Sequence, residues 1–437
     1  MQHSSQSAQL TSLFSLPSLV PSFCLDDPLL DEVVVVDFRF GILGPGGDWW
    51  TALLLITEIF SNRPHFYIST DLNLFSGFEE FLVWESFFSA HFNFNYTAST
   101  VVPSARETMS TIIDTILAEK SRISQWMLYD TLGSQIYEEI VAMEEYYLPA
   151  AERAVVNQFK NEIANPSLVL SAPPPLVAKQ IILELGAGAG HRTLPLIECM
   201  STKATFTNIV PTDISSEALR ENREYYEASP NKCNDPTKVC YTPLEGTHEA
   251  VLAAAAEKFS KESVRNFMFM GSSLGNYDDE EIVELVTLVG SYLRSGTLDR
   301  LLLAVDLEHS ESKPVERIVM AYDDPHGITS RFTLNALTHV NKVAKLNFNI
   351  DEWRHDVKYD ENTSRIITHV VAKTRQVVRN TATGEDVRTF EEGDKIFIEQ
   401  SRKFSTSMLE KYAVDSELTL TRQWSNGDFL IVELRKK

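Results

Sequence analysis

The sequence predicts an α/β protein. It has a parallel sheet covered by helices on both faces, interrupted by an α+β insertion and closed by an antiparallel hairpin. Three observations predict it. Short apolar runs alternate with helical stretches between residues 180 and 305. A glycine-rich turn, Gly186-Ala187-Gly188-Ala189-Gly190, opens directly after the first of those runs. The chain then ends in two strand-like runs joined by Ser425-Asn426-Gly427, a hairpin turn signal.

Residues 1–100 stand apart from this pattern. They carry two of the 39 Lys and Arg (Arg39 and Arg63), no lysine, and 13 of the 24 phenylalanines. A solvated surface mixes both charge signs. The stretch therefore reads as an aromatic-rich, poorly ordered extension rather than an auxiliary interaction domain, and no chemistry is assigned to it. Residues 101–178 form a helical region. Thr108–Leu128 places Ile112, Ile116, Leu117 and Ile123 at helical spacing. Leu132–Tyr147 and Pro149–Ile163 follow, with Pro149 in a first turn where its missing N–H costs little. Ala172-Pro173-Pro174-Pro175 breaks the region.

The sheet domain is expected over residues 179–308. Its strands are Gln180–Leu185, Thr205–Val210, Val239–Thr242, Asn266–Met270 and Arg300–Val305, with helices from Thr193, over Ser215–Glu227, His248–Phe259 and Asp278–Leu293 between them. The insertion, 309–402, reads as two helices followed by β-branched stretches at Arg365–Ala372, Val387–Phe390 and Lys395–Glu399. Residues 403–437 supply a helix near Ser405–Tyr412 and the closing strands Glu417–Trp424 and Asp428–Leu434.

Composition narrows the function. The chain has 437 residues, 43% hydrophobic and 23% charged, with a net charge of -22. So acidic a body repels phosphate backbones and anionic lipid, and neither nucleic acid nor membrane is expected as a partner. No run approaches the ~18 apolar residues of a spanning helix; Trp49–Thr57 is ended by Glu58. The first cation is Arg39, which argues against a secretory signal or transit peptide. Cys24, Cys199, Cys233 and Cys240 are scattered singly, as reduced thiols of a cytoplasmic protein would be. No metal site and a monomeric state are expected.

The glycine turn marks the first site. Glycine after a strand lets the backbone turn tightly and lets a ligand lie against the main chain. Dinucleotides, phosphates or turn geometry alone would each explain the spacing. Glu184, two residues before Gly186, sharpens it: a carboxylate there repels a pyrophosphate but attracts an ammonium or sulfonium. Asp213 ends the next strand, where an acid holds ribose hydroxyls. Together these acids fit S-adenosylmethionine better than NAD, because that cofactor has no phosphate and carries positive charge.

Further clusters recur in order: Tyr129-Asp130-Thr131-Leu132-Gly133-Ser134, Glu145-Tyr146-Tyr147, Glu184–Thr193, Gly271-Ser272-Ser273-Leu274-Gly275-Asn276, Ala321-Tyr322-Asp323-Asp324 and Glu399-Gln400-Ser401-Arg402-Lys403-Phe404. From about Leu128 to the C-terminus this succession resembles the histidine-specific, S-adenosylmethionine-dependent N-methyltransferases of ergothioneine biosynthesis. The resemblance implies a Rossmann-like class I methyltransferase sheet with an inserted α+β substrate-binding domain and N-terminal helices. It implies cofactor contacts from the glycine turn at Gly186, with Gly188 beside it, from Arg192 (replacing the usual lysine) and from Asp213; the charge of Glu184 adds that residue to the set. Thr247, in Gly246-Thr247-His248, stands where the family supplies adenine contacts. For the amino acid it implies Gly271 and Asn276, the tyrosines Tyr146 and Tyr322, and Glu399 with Ser401 at the imidazole. Tyr129 and Asn276 are the implied catalytic residues, Tyr129 orienting the α-amine or relaying its proton.

The residue chemistry agrees with these roles. An α-carboxylate needs neutral donors, which the Asn276 amide and the Tyr322 hydroxyl supply. An imidazole presents two ring nitrogens, so a Glu acceptor and a nearby hydroxyl grip both edges. On a strand, residues 399 and 401 face one side. Each residue also has a plain structural role open to it: Asn276 capping the helix near Asp278, the tyrosines packing in a core, Asp323-Asp324 forming a turn. Thr368 stands where the family often has a methionine beside the ring, which leaves one wall of the pocket different. The activity implied is transfer of methyl groups to the α-amine of L-histidine, giving the trimethylated betaine hercynine. The alternatives are an N-methyltransferase of another aromatic amino acid (tryptophan-type), a nicotinamide oxidoreductase, or a non-catalytic S-adenosylmethionine-binding relative.

Overall fold

The computed structural model describes residues 34–37, 66–69, 109–166 and 177–437. Strands β1 (Val34–Asp37) and β2 (Phe66–Ser69) pair in parallel inside a unit of their own, Met1–Thr97. The other expectations for residues 1–100, and the Pro-rich break at 172–175, lie outside the described residues.

The second unit, Ala98–Lys437, starts with three helices: α1 (Met109–Leu117), α2 (Thr131–Ala142) and α3 (Leu148–Ala164). The sequence predicts one helix over Thr108–Leu128, but α1 ends at Leu117. Ser121 Oγ donates to the Ile116 carbonyl, and the Ile123 N–H donates to Phe397 O at 2.9 Å. Pairing with a distant strand therefore overrides local helical spacing. A 3₁₀ turn over Gln125–Leu128 follows.

The chain then alternates: β3 (Val177–Leu185), α4 (Leu194–Ser201), β4 (Ala204–Asp213), α5 (Ser216–Ala228), β5 (Val239–Tyr241), β6 (Leu244–Glu245), α6 (His248–Lys258), β7 (Val264–Phe269), α7 (Asp279–Ser291) and β8 (Arg300–Asp306). Helices α8 (Val315–Met320) and α9 (Ile328–Ala344) lead to β9 (Trp353–Asp360), β10 (Arg365–Ala372), β11 (Gln376–Arg379), β12 (Asp386–Phe390) and β13 (Lys395–Arg402). Helix α10 (Thr406–Asp415), β14 (Leu418–Ser425) and β15 (Phe429–Lys436) end the chain.

The large sheet has the order β14-β15-β8-β7-β3-β4-β5, with β6 beside the end of β4. Strands β5, β4, β3, β7 and β8 run parallel, whereas β15 is antiparallel to both β8 and β14. This is the Rossmann-like class I order. Parallel strands covered on both faces must be apolar throughout, and β8 is buried along its whole length. Two cores form, one on each face: Leu183, Val286 and Leu301 lie in one, Ile182, Val155 and Ile431 in the other. Truncating one such leucine to alanine costs about 2–5 kcal/mol.

The chain leaves β3 toward β4 and β5 on one side and later toward β7 and β8 on the other. Ligands of open α/β sheets bind beyond the strands' carboxyl ends at such a reversal. A second, antiparallel sheet, β13-β10-β9, packs with α1, α2 and α9 around a third core that includes Leu128, Phe332, Val370 and Ile396. Strand β9 was not legible as a strand, because Trp353-Arg354-His355-Asp356 is too polar to show a buried face. The two sheets meet where β13 ends. The Phe404 N–H donates to Asp306 O at 2.8 Å and the Lys403 N–H to Ser364 O at 2.7 Å. The end of β13 is thus sewn beside the carboxyl end of β8. Among the described residues no helix is long and apolar enough to cross a membrane.

Candidate active site

The carboxyl end of β3 carries Glu184, only 3% exposed. Burial pushes its carboxyl up to about 8, with the Thr193 hydroxyl, donating at 2.9 Å, pulling the other way. Gly186 and Gly188 take φ of 61° and 53°, a region that side chains rarely adopt, and a Cβ built on Gly188 meets nothing within 4 Å. The turn is propped from behind: Asn222 Nδ2 donates to the Gly188 carbonyl at 2.9 Å, and Tyr241 OH donates to Asn222 Oδ1 at 2.7 Å. Asp213 ends β4, and its two oxygens accept from the Gly188 and Ser215 N–H groups at 3.0 Å each. Each carboxylate oxygen keeps a lone pair for hydroxyl donors, while the Gly188 N–H that a phosphate would need is already engaged. The pairing of β6 with β4 brings Gly246 alongside, its N–H donating to Asp213 O at 3.0 Å. Thr247 caps α6, its hydroxyl accepting from the Ala250 N–H at 3.4 Å. The ring of its neighbour His248 lies edge-on to Phe269, with Nε2 3.4 Å from Tyr277 OH.

Arg192 links this end to the next. Its guanidinium lies over Gly271, where an added Cβ would come within 2.8 Å of Arg192 Nη1. Arg192 Nε is 3.9 Å from Glu152 Oε2, and the Gly271 N–H donates to Glu152 Oε1 at 2.8 Å. Although burial works against its charge, Glu152, two tyrosines and Glu184 hold the guanidinium above its ordinary value. Gly271 therefore stands at the junction with its N–H already engaged. Glu152 is 1% exposed and its Oε2 has no hydrogen-bond partner. Sequence reading missed it. Its signal was an acid in the apolar stripe of Leu148, Glu152 and Val156 at helical spacing.

Next to this junction lies a cluster of aromatic side chains, Tyr129, Tyr137, Tyr146, Tyr322 and Phe332. Asp130 caps α2 by accepting from the Gly133 N–H at 2.8 Å and from Asn335 Nδ2 at 2.7 Å. Gly133 is obligatory there, since its Cβ would stand 1.7 Å from Leu128 O. This cap fixes Tyr129, whose ring meets Phe332 and Tyr137 edge-on at 5.4 and 5.7 Å. The residue is 44% exposed. Desolvation, then Tyr137 and Glu399, hold its phenol well above its ordinary value. Tyr146 sits 6.0 Å from Tyr322, ring to ring, and 6.5 Å from Tyr137. Asn276 lies in the 3₁₀ turn after β7. It does not cap α7, which Asp278 does in a capping box with Glu281. Gly275 lets that turn press against β13: a Cβ there would be 2.7 Å from Arg402 O. Asp324 accepts the N–H groups of His326, Ile328 and Thr329, fixing the start of α9.

On β13, Glu399 pairs with Thr368 and Ser401 with Ile366, so both side chains share one face of the small sheet. Burial pushes the Glu399 carboxyl up to about 7, against the pull of Lys403 and of a hydrogen bond from Gln125. Thr368 is 1% exposed and its hydroxyl is without a hydrogen-bond partner. The Tyr322 hydroxyl, expected at the carboxylate end of an amino acid, lies 2.8 Å from Ser401 Oγ and 2.8 Å from Lys403 Nζ. Tyr322 and Ser401 thus form one hydrogen-bonded group rather than two separate contacts.

The parts are electrostatically continuous. Tyr129 feels both Glu399 and Arg192, Arg192 feels Glu184, and Glu184 feels Asp213. Arg192 and Tyr129 thus stand electrostatically between the acids of the glycine turn and the acid of the small sheet.

Comparison with known proteins agrees with this architecture. Residues 108–436 match the family model described as histidine-specific methyltransferase, SAM-dependent. A histidine N-alpha-methyltransferase of Mycobacterium tuberculosis is 28% identical over 317 residues, 71% of this chain and 88% of that protein. Ergothioneine biosynthesis protein 1 of Schizosaccharomyces pombe is 26% identical over 289 residues, 66% of this chain but 35% of the relative. The N-methyltransferase fsqC of Aspergillus fumigatus is 26% identical over 309 residues, 68% of this chain and 75% of that protein.

Proposed function

The chain belongs to the histidine-specific, S-adenosylmethionine-dependent methyltransferase family, and from that premise we propose that it methylates the α-amine of L-histidine, in three rounds, to hercynine. The observation that carries the proposal is the chain of electrostatic coupling that runs from Glu184 through Arg192 and Tyr129 to Glu399.

S-adenosylmethionine, when bound, supplies an electrophilic methyl group on a sulfonium. The donor set suits it. Asp213 has lone pairs left for ribose hydroxyls, Arg192 offers charge to a carboxylate, and Glu184 offers charge to a cation. Gly186 and Gly188 leave the main chain open to a ligand. In this reading Asn276 and Tyr146 meet the substrate carboxylate, and Gly271 shapes the passage between the two halves. Glu399 accepts a ring N–H, and Ser401, braced by Tyr322, meets the other ring nitrogen. Tyr129 stays a neutral phenol, so it orients the amine by accepting from its N–H rather than acting as a strong base. The aromatic walls exclude water and favour the neutral, nucleophilic amine. Thr247 contributes through the cap that seats the loop beside Asp213.

The proposal extends to a cytoplasmic, monomeric enzyme, and the net charge of -22 supports its binding neither nucleic acid nor an anionic membrane. Its division of labour is residues 179–308 and 403–437 for the cofactor, and 101–178 with 309–402 for the amino acid. Purified protein with methyl-labelled cofactor should label histidine and leave tryptophan nearly untouched. Equal labelling of both, or of neither, would refute the substrate assignment.

A further inference from the structure

Behind the ring-facing group lies a fully buried ionic network that the mechanism above does not use. Lys403 is 0% exposed and spends its three N–H donors on Asp306 Oδ2 at 2.9 Å, Tyr322 OH at 2.8 Å and Ser401 Oγ at 3.0 Å. Asp306 is itself buried, accepting from Lys313 at 2.8 Å and from Tyr147 OH at 2.7 Å. Two buried ammonium groups on one carboxylate make an expensive arrangement for stability alone, since buried ion pairs seldom outperform apolar packing.

Counting protons shows what the arrangement does. Tyr322 and Ser401 own one hydroxyl proton each, and one of the two must fill the 2.8 Å bond between them. A phenol is the stronger donor and an aliphatic hydroxyl the better acceptor, so that proton comes from Tyr322. Ser401 Oγ then accepts twice, from Lys403 and from Tyr322, which exhausts its lone pairs. Its own proton is all it has left to offer.

We propose that Lys403 is a positioning residue: it saturates Ser401 as an acceptor, making it a hydrogen-bond donor only, so that the pocket selects a ring bearing an unprotonated nitrogen as well as an N–H. Glu399, an acceptor on the same face two residues away, supplies the complement. The pair matches a neutral azole, and the inference rests on the histidine reading above.

The test compares L-histidine with β-(2-thienyl)-L-alanine, a ring of similar shape without nitrogen, in the full chain and in Lys403→Met. Steady-state methylation is measured together with calorimetric binding of each amino acid in the presence of S-adenosylhomocysteine. The expected result is a KM and dissociation constant for histidine raised about 10–100-fold, with kcat changed less than about threefold. The thienyl substrate should change less than about threefold in either measure. Ser401→Ala should cost less in the Lys403→Met background than alone, as residues acting through one another require. Lys403→Gln, which keeps two N–H donors, should retain most of the discrimination and serves also if the Met variant folds poorly. Equal losses for both amino acids, additive losses in the double variant, or a Gln variant no better than Met would overturn the proposal. Failure of the unaltered protein to bind or methylate histidine would instead overturn the histidine reading on which it rests.

Discussion

Replacing Glu184 with glutamine separates the cofactor role of that carboxyl from its cost to the fold. The residue is 3% exposed, and burial, partly offset by Thr193 and Arg192, lifts its carboxyl from 4.5 to about 8. At about 1.4 kcal/mol per pH unit, that rise amounts to roughly 5 kcal/mol. The folded chain holds this proton more tightly than the unfolded chain does. Its stabilising contribution is therefore complete below about pH 4.5 and is lost as pH rises through about 8. A glutamine side chain stays neutral throughout and has no such slope, while its amide oxygen still accepts from Thr193. Other titrating groups cancel in the difference between the two proteins. With about 2 °C of Tm per kcal/mol in a chain of this size, Glu184→Gln should gain about 5–10 °C over the unaltered protein between pH 5 and pH 8.5, measured by differential scanning calorimetry. At pH 8.5, where the Glu184 carboxyl is ionised, affinity for S-adenosylmethionine should fall at least about tenfold in the Gln variant, since the lost charge faces a cation. Parallel Tm curves, or a Gln variant that binds the cofactor unchanged, would refute the reasoning.

Three further outcomes follow from particular contacts. Gly271→Ala sets a Cβ 2.8 Å from Arg192 Nη1 at a φ of +77°. It should weaken binding of S-adenosylhomocysteine about tenfold and cost about 1–2 kcal/mol of stability, read by calorimetry and thermal unfolding. Glu399→Ala should raise the KM for histidine about 10–100-fold, the worth of a charge-assisted hydrogen bond, with little effect on the slow reaction of tryptophan; an unchanged KM removes Glu399 from the ring. Gly133→Ala drives a Cβ to 1.7 Å from Leu128 O. It should lower Tm and abolish turnover together, because the cap that holds Tyr129 is lost; a fully active variant would show that α2 does not position that tyrosine.

Much of this arrangement was legible in the residues. The alternation from β3 to β8, the glycine turn and the Ser425-Asn426-Gly427 hairpin carry local physics, so periodicity and turn chemistry revealed them. Glu184 and Asp213 were legible because strand ends place their side chains. What stayed hidden depends on distant partners. Helix α1 stops at Leu117 because Ile123 pairs with Phe397, far along the chain. Strand β9 lacks a dry face. Glu152 takes its meaning only from Gly271 and Arg192. The bond between Tyr322 and Ser401 appears only once β13 is sewn beside β8, and the spacing of 79 residues between them carries no trace of it.

The central claim is that the acids of the glycine turn and Glu399 serve one site. Titrating L-histidine into the protein with and without saturating S-adenosylhomocysteine tests it most directly. The account predicts one histidine per chain, bound at least about tenfold more tightly when the cofactor product is present, with that binding weakened about 10–100-fold in Glu399→Ala. Histidine binding that ignores the cofactor product, or that is unchanged in Glu399→Ala, would contradict it.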